Sequence, residues 1–317
     1  MEANIYKILQ DYYHLKVQKI TSQQGGWAAL AYKVITNKSN FFLKVYEKKR
    51  ASTKELTDVI DYYMPLVLEI AENDVLTGRI PKPIMTSDNA YKCEDELALY
   101  MLYPYIDGET IGNQPLQPIE VTQYAEMIAE LHQIKSMNIN EKLKEKFEVS
   151  FAENLKQRLT QKQDQELTTF LYPYKVQLIE LIDQLVHLGM ELKQQQLPFS
   201  LVHTDLHHWN LMRENDRLII IDWEGLQLAP AEADLMFVMD QSYKTKFLET
   251  YVENRPDYTI HNDVLSYYQL KRKLEDIWEF IVQLLEEPLT LKERRKVFDY
   301  IQEELYDVKE KTQDPEK

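Results

Sequence analysis

The 317-residue chain reads as an α+β fold, with a small antiparallel sheet at the N-terminal end and a mainly helical remainder. Residues 16–22 alternate like a strand, 29–35 and 41–46 read as a second and third, and the turn-rich runs Gln23-Gln24-Gly25-Gly26 and Asn37-Lys38-Ser39-Asn40 separate them, which is the pattern of a strand meander. After Gly108 the apolar spacing changes to the helical one over 120–134, 174–196, 262–286 and 291–309. Between these regimes, residues 96–103 form an apolar strand-like run closed by Pro104.

In the first hundred residues, Ile5, Ile8, Leu9 and Tyr12 give 4–14 a helical face. The segment 52–73 aligns Leu56, Val59, Ile60, Tyr63, Leu66, Val67 and Ile70 on one side of a helix. Pro65 falls inside it, and a kink or break is expected there because proline lacks the amide donor. Pro81 and Pro83 mark a loop, and a further strand is expected near 84–86, giving a five-stranded sheet. The C-terminal stretch 309–317 reads as solvated.

The charge balance is acidic, 37 basic against 52 acidic residues, for a net charge of −15. Such a field repels nucleic acid and anionic membranes and attracts cations, although acidity also simply keeps a chain soluble. A single cysteine, Cys93, rules out an internal disulfide and fits a reducing compartment. No basic-then-apolar leader opens the sequence, and no apolar run approaches the roughly 20 residues of a membrane span. A cytoplasmic protein, monomer or homodimer, is expected.

The informative segment is Ser200-Leu-Val-His203-Thr-Asp205-Leu-His207-His208-Trp-Asn210-Leu-Met, followed by Arg217-Leu-Ile-Ile-Ile-Asp222-Trp223-Glu224. Asn210 follows Asp205 by five residues, and Asp222 follows Asn210 by twelve, at the end of a buried strand. Leu211-Met212 reads as the opposing strand, with 214–217 as the hairpin turn. Phosphoryl transfer asks for a carboxylate that receives the proton of the attacking hydroxyl, and for oxygen ligands that hold magnesium on the phosphates. Asp205, Asn210 and Asp222 match that requirement in type and spacing. His203 is expected to brace the loop by hydrogen bonds.

His-x-Asp-x-x-x-x-Asn followed by Ile-Asp-Trp resembles the signature of aminoglycoside phosphotransferases, choline kinases and related small-molecule kinases. Leu228-Ala-Pro-Ala-Glu-Ala-Asp234-Leu-Met-Phe237, and Tyr267-Tyr268 with Glu275-Asp276-Ile277, are most similar to spectinomycin phosphotransferases. The resemblance implies a protein kinase-like bilobal fold: residues 1–103 as a nucleotide-binding N-lobe, and 104–317 as a C-lobe with the catalytic loop and acceptor site. It implies ATP and Mg2+, with Lys44 of Phe42-Leu-Lys-Val45 reaching the α and β phosphates. Glu55 is the first choice as partner of that lysine, with Asp58 and Asp61 behind it. Leu102-Tyr-Pro-Tyr-Ile-Asp-Gly108 resembles the hinge, where the Pro104 carbonyl and Ile106 amide would meet adenine. Gly25 and Gly26 would cover the phosphates without the Gly-x-Gly-x-x-Gly of protein kinases. Asp234 would tie its helix to the catalytic loop.

The acceptor side is read from His207, Glu224, Glu275 and Asp276, for a small hydroxyl compound, with a cationic one such as spectinomycin or another aminoglycoside-like molecule as a candidate. Glu275 and Asp276 could equally belong to a charged helix surface, and Glu224 could meet only water. His132 reads as a packed, hydrogen-bonded histidine, and Trp209 as a gap filler. One alternative is a metabolic kinase of the same architecture acting on choline, homoserine or methylthioribose, rather than an antibiotic-modifying one. Another is a metallohydrolase that uses His203, Asp205, His207 and His208 as metal ligands; it leaves Asn210 and Asp222 unexplained.

Overall fold

The computed structural model describes residues 2–23, 29–49, 51–136, 139–161, 164–287 and 289–311. The expected phosphate-covering glycines Gly25 and Gly26 lie outside these. The chain opens with helix α1 (Glu2–Tyr13) and strands β1 (Val17–Gln23), β2 (Leu30–Thr36) and β3 (Asn40–Glu47), then helix α2 (Ala51–Ile70). Next come β4 (Cys93–Glu94), β5 (Ala98–Pro104), β6 (Glu109–Thr110), α3 (Pro118–Leu131), α4 (Ser150–Thr160), α5 (Gln165–Leu171) and α6 (Lys175–Leu192). Strands β7 (Ser200–Val202), β8 (Leu211–Glu214), β9 (Arg217–Ile220) and β10 (Gln227–Ala229) follow, then α7 (Glu232–Leu235), α8 (Lys244–Asn254), α9 (Asn262–Glu286) and α10 (Leu291–Lys311). No helix of the described residues is long and apolar enough to cross a membrane.

Packing divides the chain into two units, residues 1–144 with 199–258, and 145–198 with 259–317. In the first, five antiparallel strands lie in the order β1-β2-β3-β5-β4. The expected strand at 84–86 is not one: Ile84 makes a ladder-like bond to the Leu102 carbonyl (2.6 Å), while the fifth strand is Cys93–Glu94. Alternation along β3 decides which side chains meet the core. Leu43 and Val45 join Ile5, Ile8 and Leu9 of α1 with Val34, Tyr100 and Leu102 in one apolar cluster. Lys44 and Tyr46 therefore point to the opposite face.

Helix α2 buries Ile60, Tyr63, Met64, Leu66, Val67 and Ile70, close to the expected face. It runs through Pro65 without a break. Pro65 is exposed, so water can serve the carbonyl it leaves without a donor.

Helix α3 holds the β8–β9 hairpin. The two carboxylate oxygens of Glu120 take a fork of N–H groups from Arg213 of β8, and one of them also accepts the Gln117 amide, capping α3 (2.7 Å). Gln123 accepts from the Leu218 amide (3.0 Å) and donates to the Asp216 carbonyl (2.9 Å). Gly108 permits the chain to cross this hairpin: a Cβ there would lie 2.3 Å from the Arg213 carbonyl oxygen. The second unit is helical, with α6, α9 and α10 packed through Leu178, Ile182, Leu185, Leu274, Ile277, Ile281, Ile301 and Leu305.

Candidate active site

The site is assembled from the loop after β7, the mouth of the β8–β9 hairpin and the outward face of β3. Leu211 pairs with Ile220 at the hairpin's open end, and the Ile221 amide donates to the Asn210 carbonyl (3.0 Å). Asn210 and Asp222 therefore emerge side by side, as the twelve-residue spacing predicts. The Asn210 amide nitrogen donates to the Asp205 carboxylate and to the Asp205 carbonyl, each at 2.8 Å. That leaves the planar amide's oxygen on the far side from Asp205.

Asp222 has φ 63° and ψ 63°, a left-handed conformation rare for a residue with a Cβ, and Thr204 has φ 71°. The Thr204 bend is held from below. Asp234, 1% exposed, accepts the His203 amide (2.9 Å) and the Thr204 amide (2.6 Å). Its carboxylate also accepts from Nε2 of His132 (3.0 Å), whose Nδ1 accepts a hydrogen bond from the Tyr251 hydroxyl (2.8 Å). Burial holds the His132 pKa below its usual value against the pull of Asp234, so the ring is neutral, with its proton on the nitrogen facing the carboxylate.

His203 donates from Nε2 to the Ile221 carbonyl (2.9 Å) and accepts the Asp205 amide at Nδ1 (3.3 Å). It braces the loop, as expected. Trp223 lies edge-on to it at 4.7 Å and donates to the Ile220 carbonyl (3.0 Å). Gly225 has no room for a side chain: a Cβ would lie 2.3 Å from Thr204 Oγ1 and 2.8 Å from the His203 carbonyl oxygen.

Lys44 reaches across from β3. Its ammonium is bonded to both Asp222 and Glu224, and the Tyr46 hydroxyl donates to the same Glu224 oxygen (2.6 Å). Burial opposes the Lys44 charge, but the two carboxylates prevail and hold its pKa well above the lysine range. Burial likewise tends to raise Glu224, and Lys44 with Tyr46 overcomes it, keeping that carboxyl below its ordinary value.

The expected partner of Lys44 was an acid of α2. Asp58 is exposed, and Asp61 is engaged by Tyr91 (2.6 Å) and Lys92 (2.8 Å). The side chain of Glu55 is outside the described residues. Glu224, read from sequence as an acceptor-side residue, is instead turned onto the lysine.

His207 brings Nε2 within 3.3 Å of an Asp205 carboxylate oxygen, and its buried Nδ1 has no hydrogen-bond partner among the described residues. His208 is stacked on Tyr243 and bonded to its hydroxyl (2.6 Å). With His203 and His208 thus committed to protein atoms, the histidines do not converge with Asp205 as metal ligands would. Trp209, expected to fill a gap, is 56% exposed. At the expected hinge, Pro104 ends β5 exposed to solvent and Ile106 is half-buried.

The other expected acceptor residues belong to the second unit. Asp276 pairs with Arg272 one turn away (2.9 Å). Glu275 faces Lys271 at 4.0 Å, and burial pushes its carboxyl upward against that lysine. Lys271 also meets Glu145 (3.3 Å), whose other oxygen caps the Phe147 amide (2.6 Å).

Sequence reasoning passed over Tyr46, Tyr251 and Tyr243. Only Tyr46 carried a signal: Lys44-x-Tyr46 and Asp222-x-Glu224 share a two-residue step.

The phosphotransferase enzyme family model matches residues 19–290. Among solved structures, spectinomycin phosphotransferase APH(9)-Ia bound to ADP and spectinomycin superposes with a TM-score of 0.76 at 22% identity, over 95% of this chain and 93% of that one. Choline kinase LicA from Streptococcus pneumoniae gives 0.64 at 14% identity, over 97% and 99%. Amicoumacin kinase hAmiN, solved with AMP-PNP, Ca2+ and Ami, gives 0.61 at 14%, over 96% and 93%. At such identities the likeness is one of fold, the kinase-like arrangement of an antiparallel sheet followed by helices. No curated protein sequence matches the chain. With the family model spanning most of its length, the chain belongs to the phosphotransferase enzyme family and is a phosphotransferase acting on hydroxyl acceptors.

Proposed function

We propose that the chain is an ATP- and magnesium-dependent kinase of a small hydroxyl compound. The observation that carries the reading is the linkage of Asp205, Asn210 and Asp222 through one amide and one hairpin rung, with Lys44 reaching Asp222 from the sheet. The acceptor oxygen attacks the γ-phosphorus of ATP, the bond from that phosphorus to the bridging oxygen of ADP breaks, and the hydroxyl proton passes to Asp205. Asp205 orients the hydroxyl before it takes the proton, and Lys44 neutralises charge that accumulates on ADP.

Asn210 and Asp222 would hold the magnesium ion. The donor set fits. Asn210 has spent its nitrogen on Asp205 and offers oxygen, and the Asp222 carboxylate already draws a cation, the Lys44 ammonium. When bound, the ion supplies charge neutralisation on the phosphates.

Residues 1–103 would serve the nucleotide, with its phosphates at Gly25 and Gly26, and the backbone of Pro104 and Ile106 just beyond would meet adenine. Residues 104–317 would carry the catalytic loop and serve the acceptor, for which His207, beside Asp205, is the candidate in the loop. A net charge of −15 favours a cationic acceptor such as an aminocyclitol. The fold shared with choline kinase LicA keeps an amino alcohol as a second reading.

The test is ATP consumption, with magnesium, over spectinomycin, aminoglycosides, choline, homoserine and methylthioribose. One acceptor should release ADP in step with a phosphorylated product. Product release without ATP consumption would mark a hydrolase and overturn the reading.

A further inference from the structure

The mechanism above gives Glu224 no task, yet the carboxylate is built in with care. Lys44 and Tyr46 are two apart on β3 and point to one face, and Asp222 and Glu224 are two apart beyond β9. The two pairs interlock. The Lys44 ammonium meets both acids, and the Tyr46 hydroxyl meets the same Glu224 oxygen that the lysine does. Tyr46 is fully buried, and Tyr63 beside it is 1% exposed, so the Glu224 oxygen that the Tyr46 hydroxyl holds is fixed from a rigid, packed side.

The two acids differ in exposure. The Glu224 side chain is 17% exposed and that of Asp222 is 35% exposed. The more open carboxylate is the one a metal ion can claim, and the more enclosed one is the standing partner of the lysine. An ammonium has three N–H groups, so Lys44 can keep Glu224 and still turn a donor to a phosphate oxygen after Asp222 is taken. No described acid of α2 is available for this duty, since Asp61 is held by Lys92 and Tyr91 and Asp58 is exposed.

We propose that Glu224, fixed by the Tyr46 hydroxyl, is the positioning residue that aims Lys44 at the nucleotide phosphates, holding the lysine from the strand-end side. The inference rests on the reading of Lys44 as a nucleotide ligand given under Proposed function. It separates Glu224 from the neighbouring metal position: its loss should be felt by the nucleotide even when no metal is present.

The experiment measures ADP affinity by calorimetry in EDTA, ADP affinity with magnesium, and the magnesium concentration that half-saturates turnover. Variants are Lys44→Met, Glu224→Gln, Tyr46→Phe, Glu55→Gln and the double variant Lys44→Met/Glu224→Gln. Glu224→Gln and Lys44→Met should each weaken metal-free ADP binding about tenfold, the size of one charge-assisted hydrogen bond. The double variant should be no weaker than Lys44→Met, because the two residues act through one ammonium. Tyr46→Phe should weaken it about threefold, and it keeps the test open if Glu224→Gln fails to fold. Glu55→Gln should cost less than Glu224→Gln, and the half-saturating magnesium concentration should move less than twofold in Glu224→Gln.

Unchanged metal-free binding in Glu224→Gln, together with a raised magnesium requirement, would make it a metal ligand and overturn the proposal. A greater loss in Glu55→Gln than in Glu224→Gln would return the role to the helix. If wild type itself binds no ADP, both this inference and the reading it rests on fall; if wild type binds and Glu224→Gln binds as well, only this one does.

Discussion

Replacing Asp234 should unsettle the catalytic loop and much of the fold with it. Its carboxylate is the shared acceptor for the His203 amide, the Thr204 amide and Nε2 of His132, and neither its side chain nor that of His132 is exposed. Alanine strands all three donors away from water, and each buried donor left unpaired costs about 1–3 kcal/mol. The contacts share one carboxylate and are not additive, so a total of about 3–6 kcal/mol is expected. That is a large part of the roughly 5–15 kcal/mol that holds a typical domain together. Asparagine keeps one oxygen but turns an N–H toward a donor, and should cost about 2–4 kcal/mol. The Thr204 bend at φ 71° depends on this carboxylate, so turnover should fall further than stability alone explains. Urea unfolding followed by circular dichroism gives the stability change, and turnover at a temperature where the variant is fully folded gives the other. An Asp234→Asn protein with the wild-type urea midpoint and full turnover would refute the bracing role.

Gly225→Ala should lower turnover with a stability cost of about 1–3 kcal/mol, because the new methyl group meets the Thr204 hydroxyl and the His203 carbonyl; an unchanged urea midpoint would contradict it. Stability should decline as pH falls below about 6.5, since burial holds His132 and His208 neutral in the folded state while the unfolded chain takes up their protons. Above that pH the contribution is complete and constant. Urea midpoints measured between pH 8 and pH 5 read the slope, and a flat profile down to pH 5.5 would exclude it.

Much of the site could be read from spacing, because it is made by local elements. Period two on β3 places Lys44 opposite the core, and a tight hairpin between Leu211 and Ile220 brings Asn210 to Asp222 whatever the rest of the chain does. What stayed hidden depends on partners distant in sequence. Strand β6 has two residues and β10 three, too short for any periodicity, and each exists only because β8 or β7 supplies its ladder. The 84–86 run is apolar enough for a strand, but only its Ile84 amide bonds to the Leu102 carbonyl. Glu224 reads as an acceptor residue because the lysine and tyrosine that claim it lie 180 and 178 residues away in the chain.

The most direct measurement of the central claim compares wild type with Asp205→Ala for acceptor-dependent ADP release and, separately, for MgATP affinity. The predicted result is the loss of turnover with nucleotide affinity within about threefold, since the proposed mechanism has Asp205 meet the acceptor hydroxyl and Lys44, Asn210 and Asp222 hold the nucleotide. Near-normal ADP release by Asp205→Ala would contradict the account.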